Sequence, residues 1–248
     1  MKFLVALKYL TTIPVPFHRE LSPRELGDSS PFFSLVGLII GLFLAALGWL
    51  LRIIFPEMLV DVLVVGALVA VSGARQLDGF AHTADSLVVG MSRETRLEIM
   101  ADRRVGSFGI IAVVALLLLK YVALDSLPPG LWLPALVYMP VLGRWAMVYD
   151  IYFFRSASPS GQDDNFKQGT RWYSLLSATV IAIAVIFALA RLPGLMVMAG
   201  VLIVATILGF YFRGRFGGLT IMTYGAVCEF AELAVLVIAS LLAHVGLA

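Results

Sequence analysis

Long apolar runs, rarely interrupted by charge, are the feature of this sequence that most limits its possible folds. Hydrophobic residues make up 60% of the 248 residues and charged residues only 14%, whereas soluble domains carry about a quarter of charged residues. An apolar run of about 20 residues is long enough to cross a bilayer as a helix. The chain is therefore predicted to be an all-α, polytopic bundle of membrane-spanning helices.

The length of the chain leaves room for about seven spans and one sizeable polar loop. Pro128 to Gly130 and Leu192 to Gly194 are typical of tight turns, which make consecutive spans antiparallel neighbours. We expect one membrane domain, residues 1–248, without internal repeats. The predicted spans are residues 31–55, 59–72, 108–124, 131–149, 175–190, 195–212 and 226–245.

The first 30 residues are predicted to form a cytoplasmic, interfacial segment. They begin like a signal peptide, but Lys8 interrupts the apolar stretch and no small-residue cleavage site follows. The positive-inside rule then sets the orientation, because most of the 18 basic residues fall in segments on the side of the N-terminus. We expect a multi-pass protein of the cell (inner) membrane, with residues 73–109 in the cytoplasm.

Residues 73–109 form a polar insertion between apolar runs. Asp78 and Asp85 are seven positions apart and share one face of a helix, with His82 between them. Carboxylate oxygens suit Mg²⁺, which completes its coordination with water and substrate phosphate. Asp102 is a further ligand of this type on a later segment. The alternative is a solvated loop whose carboxylates pair with neighbouring arginines.

Other motifs exclude several classes of chemistry. The sequence contains no GxSxG, no Walker loop, no CxxC and no HExxH, which argues against serine hydrolases, P-loop enzymes and zinc proteases. Cys228 is the single cysteine, so no intrachain disulfide can form. Residues 155–172, a polar loop between spans, have the composition of a substrate-facing loop but are equally typical of a plain solvated connection, the interpretation preferred here. From the residues alone we infer a membrane enzyme that acts on a phosphate-containing substrate with a divalent metal.

The insertion resembles the signature of the cobalamin synthase family, the adenosylcobinamide-GDP ribazoletransferases. LDGFAHTADSL, followed by RLEIMADRRVGSFG, is similar to the family pattern HLDGLADTADGL and LEIMKDSRIGAFG. YLTTIPVP, FFSLVGLIIG, GRWAMV and GGLTIMTYGAVCEFAELAVL resemble further family blocks in the same order. The resemblance covers nearly the whole chain.

The sequence departs from the family pattern at several polar positions. Gln76 stands where the family has His, His82 where it has Asp, and Ser86 where it has Gly. Near the C-terminus Ile221 and Met222 replace a Gly and an Asp. A neutral imidazole can still bind a metal ion, but a thioether is a poor ligand for a hard cation.

The resemblance implies a set of site residues. Asp78, Asp85 and His82 are expected to be catalytic. The expected metal ligands are Asp78, Asp85, Asp102 and His82, and the expected substrate-binding residues are Gly79, Arg103, Arg104, Arg144, Glu229 and Glu232. For Gly79 the sequence allows close approach of either a phosphate or another backbone. For Arg144 and the two glutamates the alternative is pairing with charges of the protein itself or snorkelling to the interface.

The activity that the resemblance implies is transfer of a nucleotide-activated corrinoid, adenosylcobinamide-GDP, to α-ribazole or its 5′-phosphate with release of GMP. Mg²⁺ is the expected cofactor. The expected partners are these two substrates and membrane lipid but no nucleic acid, and a homo-oligomer remains an alternative to a monomer. The two other functions considered are a non-catalytic or altered homologue that binds or transports a corrinoid, and a CDP-alcohol type phosphotransferase. The spacing after LDG disfavours the phosphotransferase.

Overall fold

The computed structural model describes residues 1–17, 19–88, 90–102, 104–157 and 161–247, with the backbone alone at residue 162. Within these ranges the chain is helical, and one isolated bridge joins Ser156 to Leu219. A short 3₁₀ turn, Ser30–Phe32, precedes the third α-helix. The α-helices are α1 (Lys2–Leu10), α2 (Pro23–Asp28), α3 (Phe33–Leu51), α4 (Glu57–Ser72), α5 (Arg75–Ser86), α6 (Arg93–Ala101), α7 (Ser107–Asp125), α8 (Pro129–Phe153), α9 (Gln162–Gly169), α10 (Trp172–Phe216) and α11 (Ile221–His244).

Five helices of the described chain are long and apolar enough to cross a membrane, and α4 with α5 makes a sixth if that bent pair is one span. This is fewer than the seven spans expected from the sequence. The difference lies partly in α10, whose 45 residues include a break at Arg191 with φ 47° and ψ −129°. At about 1.5 Å per residue an unbroken helix of this length is about twice as long as a bilayer core is thick.

The break at Arg191 reverses the direction of the chain. A Cβ placed on Gly194 would lie 2.8 Å from the Cβ of Ala190 and 3.3 Å from the carbonyl oxygen of Ile186. Eight residues of continuous helix would separate Gly194 from Ile186 by about 12 Å. The two halves of α10, residues 172–190 and 192–216, therefore pack as a hairpin around the turn that the sequence predicted, and dividing them adds one span to the count.

Helix α8 lies at the centre of the bundle and is buried on nearly all sides. It packs against α3, α10 and α11. Its contact with α3 is backbone to backbone, because a Cβ on Gly37 would lie 2.5 Å from the Pro140 carbonyl oxygen. A Cβ on Gly41 would lie 2.7 Å from the Cα of Val137. Small residues four apart thus let two membrane helices approach closely.

The polar insertion begins with a sharp bend between α4 and α5. Gly73 and Ala74 both have left-handed backbone conformations, with φ of 64° and 54°. Two such residues in succession stop α4 and turn the chain by 92°, so that α5 crosses the end of the bundle. There α5 packs mainly on α11 and also on α7.

One end of the bundle, which carries α1, α2, α5, α6 and α9, is called the polar end below. Basic side chains there bind the free carbonyls at the C-termini of long helices. Lys167 donates to the carbonyl oxygens of Ile151 at 2.9 Å and Tyr152 at 3.0 Å, at the end of α8. Arg93 donates to the Phe216 carbonyl oxygen at 2.7 Å, at the end of α10. The connections are therefore fixed to the bundle and not merely solvated.

Candidate active site at the polar end

Asp78 and His82 form the polar pair in the middle of α5. Their spacing of four residues places Oδ1 of Asp78 3.5 Å from Nε2 of His82. The Asp78 side chain is 54% exposed, whereas that of His82 is 4% exposed. Nδ1 of His82 is buried without a hydrogen-bond partner among the described residues. Asp78 is thus oriented by His82 and open to a ligand.

Asp85 points away from this pair and binds the N-terminus of α7. Its Oδ2 accepts from the Gly106 N–H at 2.6 Å, and its Oδ1 accepts from the Gly109 N–H at 2.7 Å. Seven residues of helix bring Asp85 back to the face of Asp78, but about 10 Å further along the axis. The expectation that both carboxylates point to one ion is therefore not met in this structure.

The remaining expected ligand, Asp102, lies where α6 ends and is exposed. Its Oδ1 accepts from the Arg104 N–H at 3.1 Å, which makes a local turn. Arg104 is exposed as well, and the expected contact Arg103 lies outside the described residues. In the described part of the chain no three His, Cys, Asp or Glu side chains are grouped to hold a metal ion. A complete protein cage of Asp78, His82, Asp85 and Asp102 is therefore absent from that part.

Gly79 lies where α5 crosses α11. A Cβ on Gly79 would lie 2.6 Å from the Met222 carbonyl oxygen, and one on Gly225 would lie 2.8 Å from the Gln76 carbonyl oxygen. Of the two roles that the sequence allowed, the structure shows the approach of a backbone. α11 occupies the space on this side of Gly79, and the expected contact of Gly79 with substrate stays a prediction.

Arg144, Glu229 and Glu232, expected to bind substrate, instead bind one another and Lys120 inside the bundle. Lys120 donates to Glu229 at 2.7 Å and to Glu232 at 2.5 Å. Arg144 donates a second bond to Glu232. All four side chains are at least nine-tenths buried. Two cations and two anions thus neutralise each other. This is the pairing with charges of the protein itself that the sequence allowed as the alternative to substrate binding.

Lys120 was not assigned a role from the sequence. The sequence does show that Lys120 lies in the middle of an apolar span, and a lysine at such a position requires a partner. The sequence does not identify that partner, since Glu229 lies 109 residues later in the chain.

Two neighbouring cavities open at the polar end. The α5 cavity has a volume of about 170 Å³ and the α6 cavity about 360 Å³. Ile221 and Met222, at the start of α11, line both. The α5 cavity is further lined by Tyr9, Arg75, Gln76, Asp78, Met147 and Gly225. The α6 cavity is further lined by Leu97, Met100, Ala101, Asp163 and Thr220.

Asp163 and Tyr9 belong to this region although the sequence did not indicate them. Oδ1 of Asp163 accepts from the Ile221 N–H at 2.8 Å and so caps α11. Burial raises the pKa of Asp163, an effect that the same hydrogen bond opposes. Burial likewise raises the pKa of the Tyr9 hydroxyl to about 12, while the charge of Arg75 acts to lower it. Asp163, which lies in the loop of residues 155–172, is thus part of the wall of the α6 cavity.

These features define a multi-pass membrane protein with charged cavities at one end of a helical bundle. The particular family follows from comparison of the whole chain. The family model described as cobalamin-5-phosphate synthase matches residues 2–240, and the chain belongs to this family.

Proteins named adenosylcobinamide-GDP ribazoletransferase are similar to this chain over most of its length. The one from Roseiflexus sp. (strain RS-1) is 38% identical over 93% of this chain and 86% of its own length. That from Geotalea daltonii is 33% identical over 93% of both chains. That from Herpetosiphon aurantiacus is 34% identical over 96% of both. No solved structure shows significant similarity.

Proposed function

We propose that this protein is a membrane-embedded adenosylcobinamide-GDP ribazoletransferase that acts late in cobalamin biosynthesis. A hydroxyl oxygen of α-ribazole, or of its 5′-phosphate, attacks the β-phosphorus of the GDP moiety, and the bond to GMP breaks. The observation that carries the proposal is that the family signature, centred on Asp78, lines the α5 cavity at the polar end. The names of the relatives supply the substrates.

The residues of the cavity suit transfer of a phosphoryl group. The Asp78–His82 pair is placed to accept the proton that the attacking hydroxyl loses, because Asp78 is exposed and His82 orients it. Arg75, exposed in the same cavity, offers a planar set of donors that matches phosphate oxygens. Catalysis of this kind depends mainly on positioning and on neutralising charge.

Mg²⁺ fits Asp78 better than it fits the larger ligand set. Mg²⁺ binds proteins through one or two carboxylates and takes its other ligands from water and substrate phosphates. Within the described chain, Oδ2 of Asp78 forms no hydrogen bond, and about half of the side chain is exposed. We propose Asp78 as the protein ligand of a Mg²⁺ ion bound together with the diphosphate. When bound, the ion would neutralise charge on the leaving GMP.

We further propose that the polar end faces the cytoplasm and that the protein lies in the cell inner membrane. The concentration of basic residues in the connections at this end supports the orientation. The GDP moiety of adenosylcobinamide-GDP carries an anionic diphosphate, so a site that is open to water at the membrane surface suits this substrate.

The test is release of GMP from adenosylcobinamide-GDP by the purified protein in lipid. Both α-ribazole and its 5′-phosphate are supplied as acceptors, with Mg²⁺ and then with EDTA. We expect metal-dependent release that Asp78→Ala abolishes. Glu57→Ala is the matched control, because Glu57 is an exposed carboxylate at the opposite end of α4. Full turnover by Asp78→Ala would remove Asp78 from the site.

Met222 supplies a specific reason to test for a non-catalytic homologue as well. It lines both cavities at a position where the family pattern has Asp. Binding of the corrinoid without any GMP release, in protein with native thermal stability, would support that second function. Gain of turnover in Met222→Asp would then show that the missing carboxylate is the cause.

A further inference from the structure

The first turn of α5 has unused hydrogen-bond donors. Its N-cap, Ala74, provides no side-chain cap. The Asp78 N–H is bonded to the Ala74 carbonyl oxygen at 2.7 Å, but the N–H groups of Arg75, Gln76 and Leu77 have no acceptor within the described chain. Free N–H groups and the helix dipole together favour an anion at such a terminus.

Gln76 gives an independent indication that a ligand binds here. Its side chain is only 3% exposed and lines the α5 cavity, and its Oε1 has no hydrogen-bond partner in the described part of the protein. A buried amide without a partner is unfavourable. With its amide rotated by 180°, the same side chain aims an N–H₂ donor at this place. Either orientation leaves a polar group that a ligand can satisfy.

Arg75 adds positive charge to the same place. It is exposed, it lines the α5 cavity, and it forms no ion pair within the described residues. Other basic residues of the polar end, such as Arg93 and Lys167, are bound to helix carbonyls. Arg75 is thus available to an incoming anion, and its guanidinium matches a phosphoryl group in two-point geometry.

We propose that the first turn of α5, with Arg75 and Gln76, is a phosphoryl-binding subsite. The assignment of the bound phosphoryl group to a substrate rests on the proposed function. In that reaction adenosylcobinamide-GDP carries a diphosphate, and the acceptor can carry a 5′-phosphate. The subsite lies one helical turn before Asp78, so an anion held by Arg75 and the amides lies beside the proposed ligand of Mg²⁺. This arrangement places positive charge on both sides of the phosphoryl group.

The direct test measures binding of inorganic pyrophosphate by calorimetry. The full-length protein is held in nanodiscs of neutral lipid, without any corrinoid. We expect Arg75→Ala to weaken binding about tenfold or more, which corresponds to loss of a charge-assisted hydrogen bond. Gln76→Leu should also weaken it, whereas Gln76→His, which keeps a donor, should retain most of the affinity. Arg213→Ala is the control for charge, since Arg213 is exposed at the end of α10 and lines neither cavity.

Kinetic measurements identify which phosphate the subsite holds. A KM increase in Arg75→Ala for adenosylcobinamide-GDP assigns it to the diphosphate. An increase for α-ribazole 5′-phosphate, but not for α-ribazole, assigns it to the acceptor phosphate. Equal pyrophosphate affinity in the wild type, Arg75→Ala and Arg213→Ala, or no binding at all, overturns the subsite. Arg75-dependent binding without GMP release keeps the subsite and refutes the transferase.

Discussion

Removal of the Asp85 carboxylate tests whether this residue stabilises the fold or binds a metal ion. In the structure Asp85 takes the place of a local cap for α7, because the N-cap Gly106 has no side chain. The carboxylate accepts from Gly106 and from the third residue of the helix, Gly109. A negative charge at that terminus is also favoured by the helix dipole.

The expected loss follows from these two bonds. The Gly109 N–H is buried and would lose its acceptor in Asp85→Ala, which costs roughly 1–3 kcal/mol. Gly106 is exposed, so water replaces most of the second bond, and loss of a cap costs about 1 kcal/mol. We expect the free energy of unfolding to fall by roughly 2–4 kcal/mol. For a chain of this length that lowers Tm by roughly 5–15 °C.

The measurement is the Tm of purified protein in detergent, without Mg²⁺ and with EDTA present. Asp78→Asn is the control, because Asp78 is exposed on the same helix and accepts no backbone N–H in the described chain. We expect its Tm to match the wild type. An unchanged Tm in metal-free Asp85→Ala would refute the capping role. A Tm rise on adding Mg²⁺ that occurs in the wild type but not in Asp85→Ala would restore Asp85 as a metal ligand.

Two further predictions concern contacts between the long helices. Lys120→Met should lower the free energy of unfolding by about 3–5 kcal/mol in a thermal assay, because it leaves a buried glutamate unpaired. Adding Glu229→Gln should recover much of the loss, and additive effects of the two substitutions would contradict the pairing. Gly225→Val should displace α5 and abolish GMP release, since its Cβ would lie 2.8 Å from the Gln76 carbonyl oxygen. Gly214→Val, at a position with open space around it, is the control, and equal activity of the two variants would refute the close crossing.

The helical class and most helix positions were predictable from the sequence. The length and hydropathy of a helix depend on residues that are neighbours in the sequence, so they can be read from it. For α8 the predicted span is residues 131–149, and the structure has Pro129–Phe153. The turn after residue 190 was equally visible, because proline and glycine follow each other there. The bend of 92° after Ser72 could not be predicted from the sequence, since Ala74 has no intrinsic preference for a left-handed backbone.

The arrangement of the site depended on contacts that no local pattern contains. Helical spacing correctly paired Asp78 with His82, which are neighbours on one helix. It could not show that Asp85 binds amides 21 and 24 residues later. The sequence likewise shows that Arg144 is a charged residue within an apolar span. It does not show that α11 supplies the glutamate that neutralises it. The roles of Asp78, His82 and the proposed Mg²⁺ ion in the reaction stay predictions until GMP release is measured.

The internal ion cluster has a consequence for how the protein is made. A ribosome completes the chain from the N-terminus, so α7 with Lys120 and α8 with Arg144 enter the bilayer before their partners exist. Glu229 and Glu232 arrive only with α11, the last helix of the described chain. Until then two positive charges lie in apolar helices without neutralisation, which favours their remaining near water or the insertion machinery. Arrival of α11 both neutralises the charges and supplies one wall of the α5 cavity, so burial of the cluster and completion of the cavity occur in the same step of assembly.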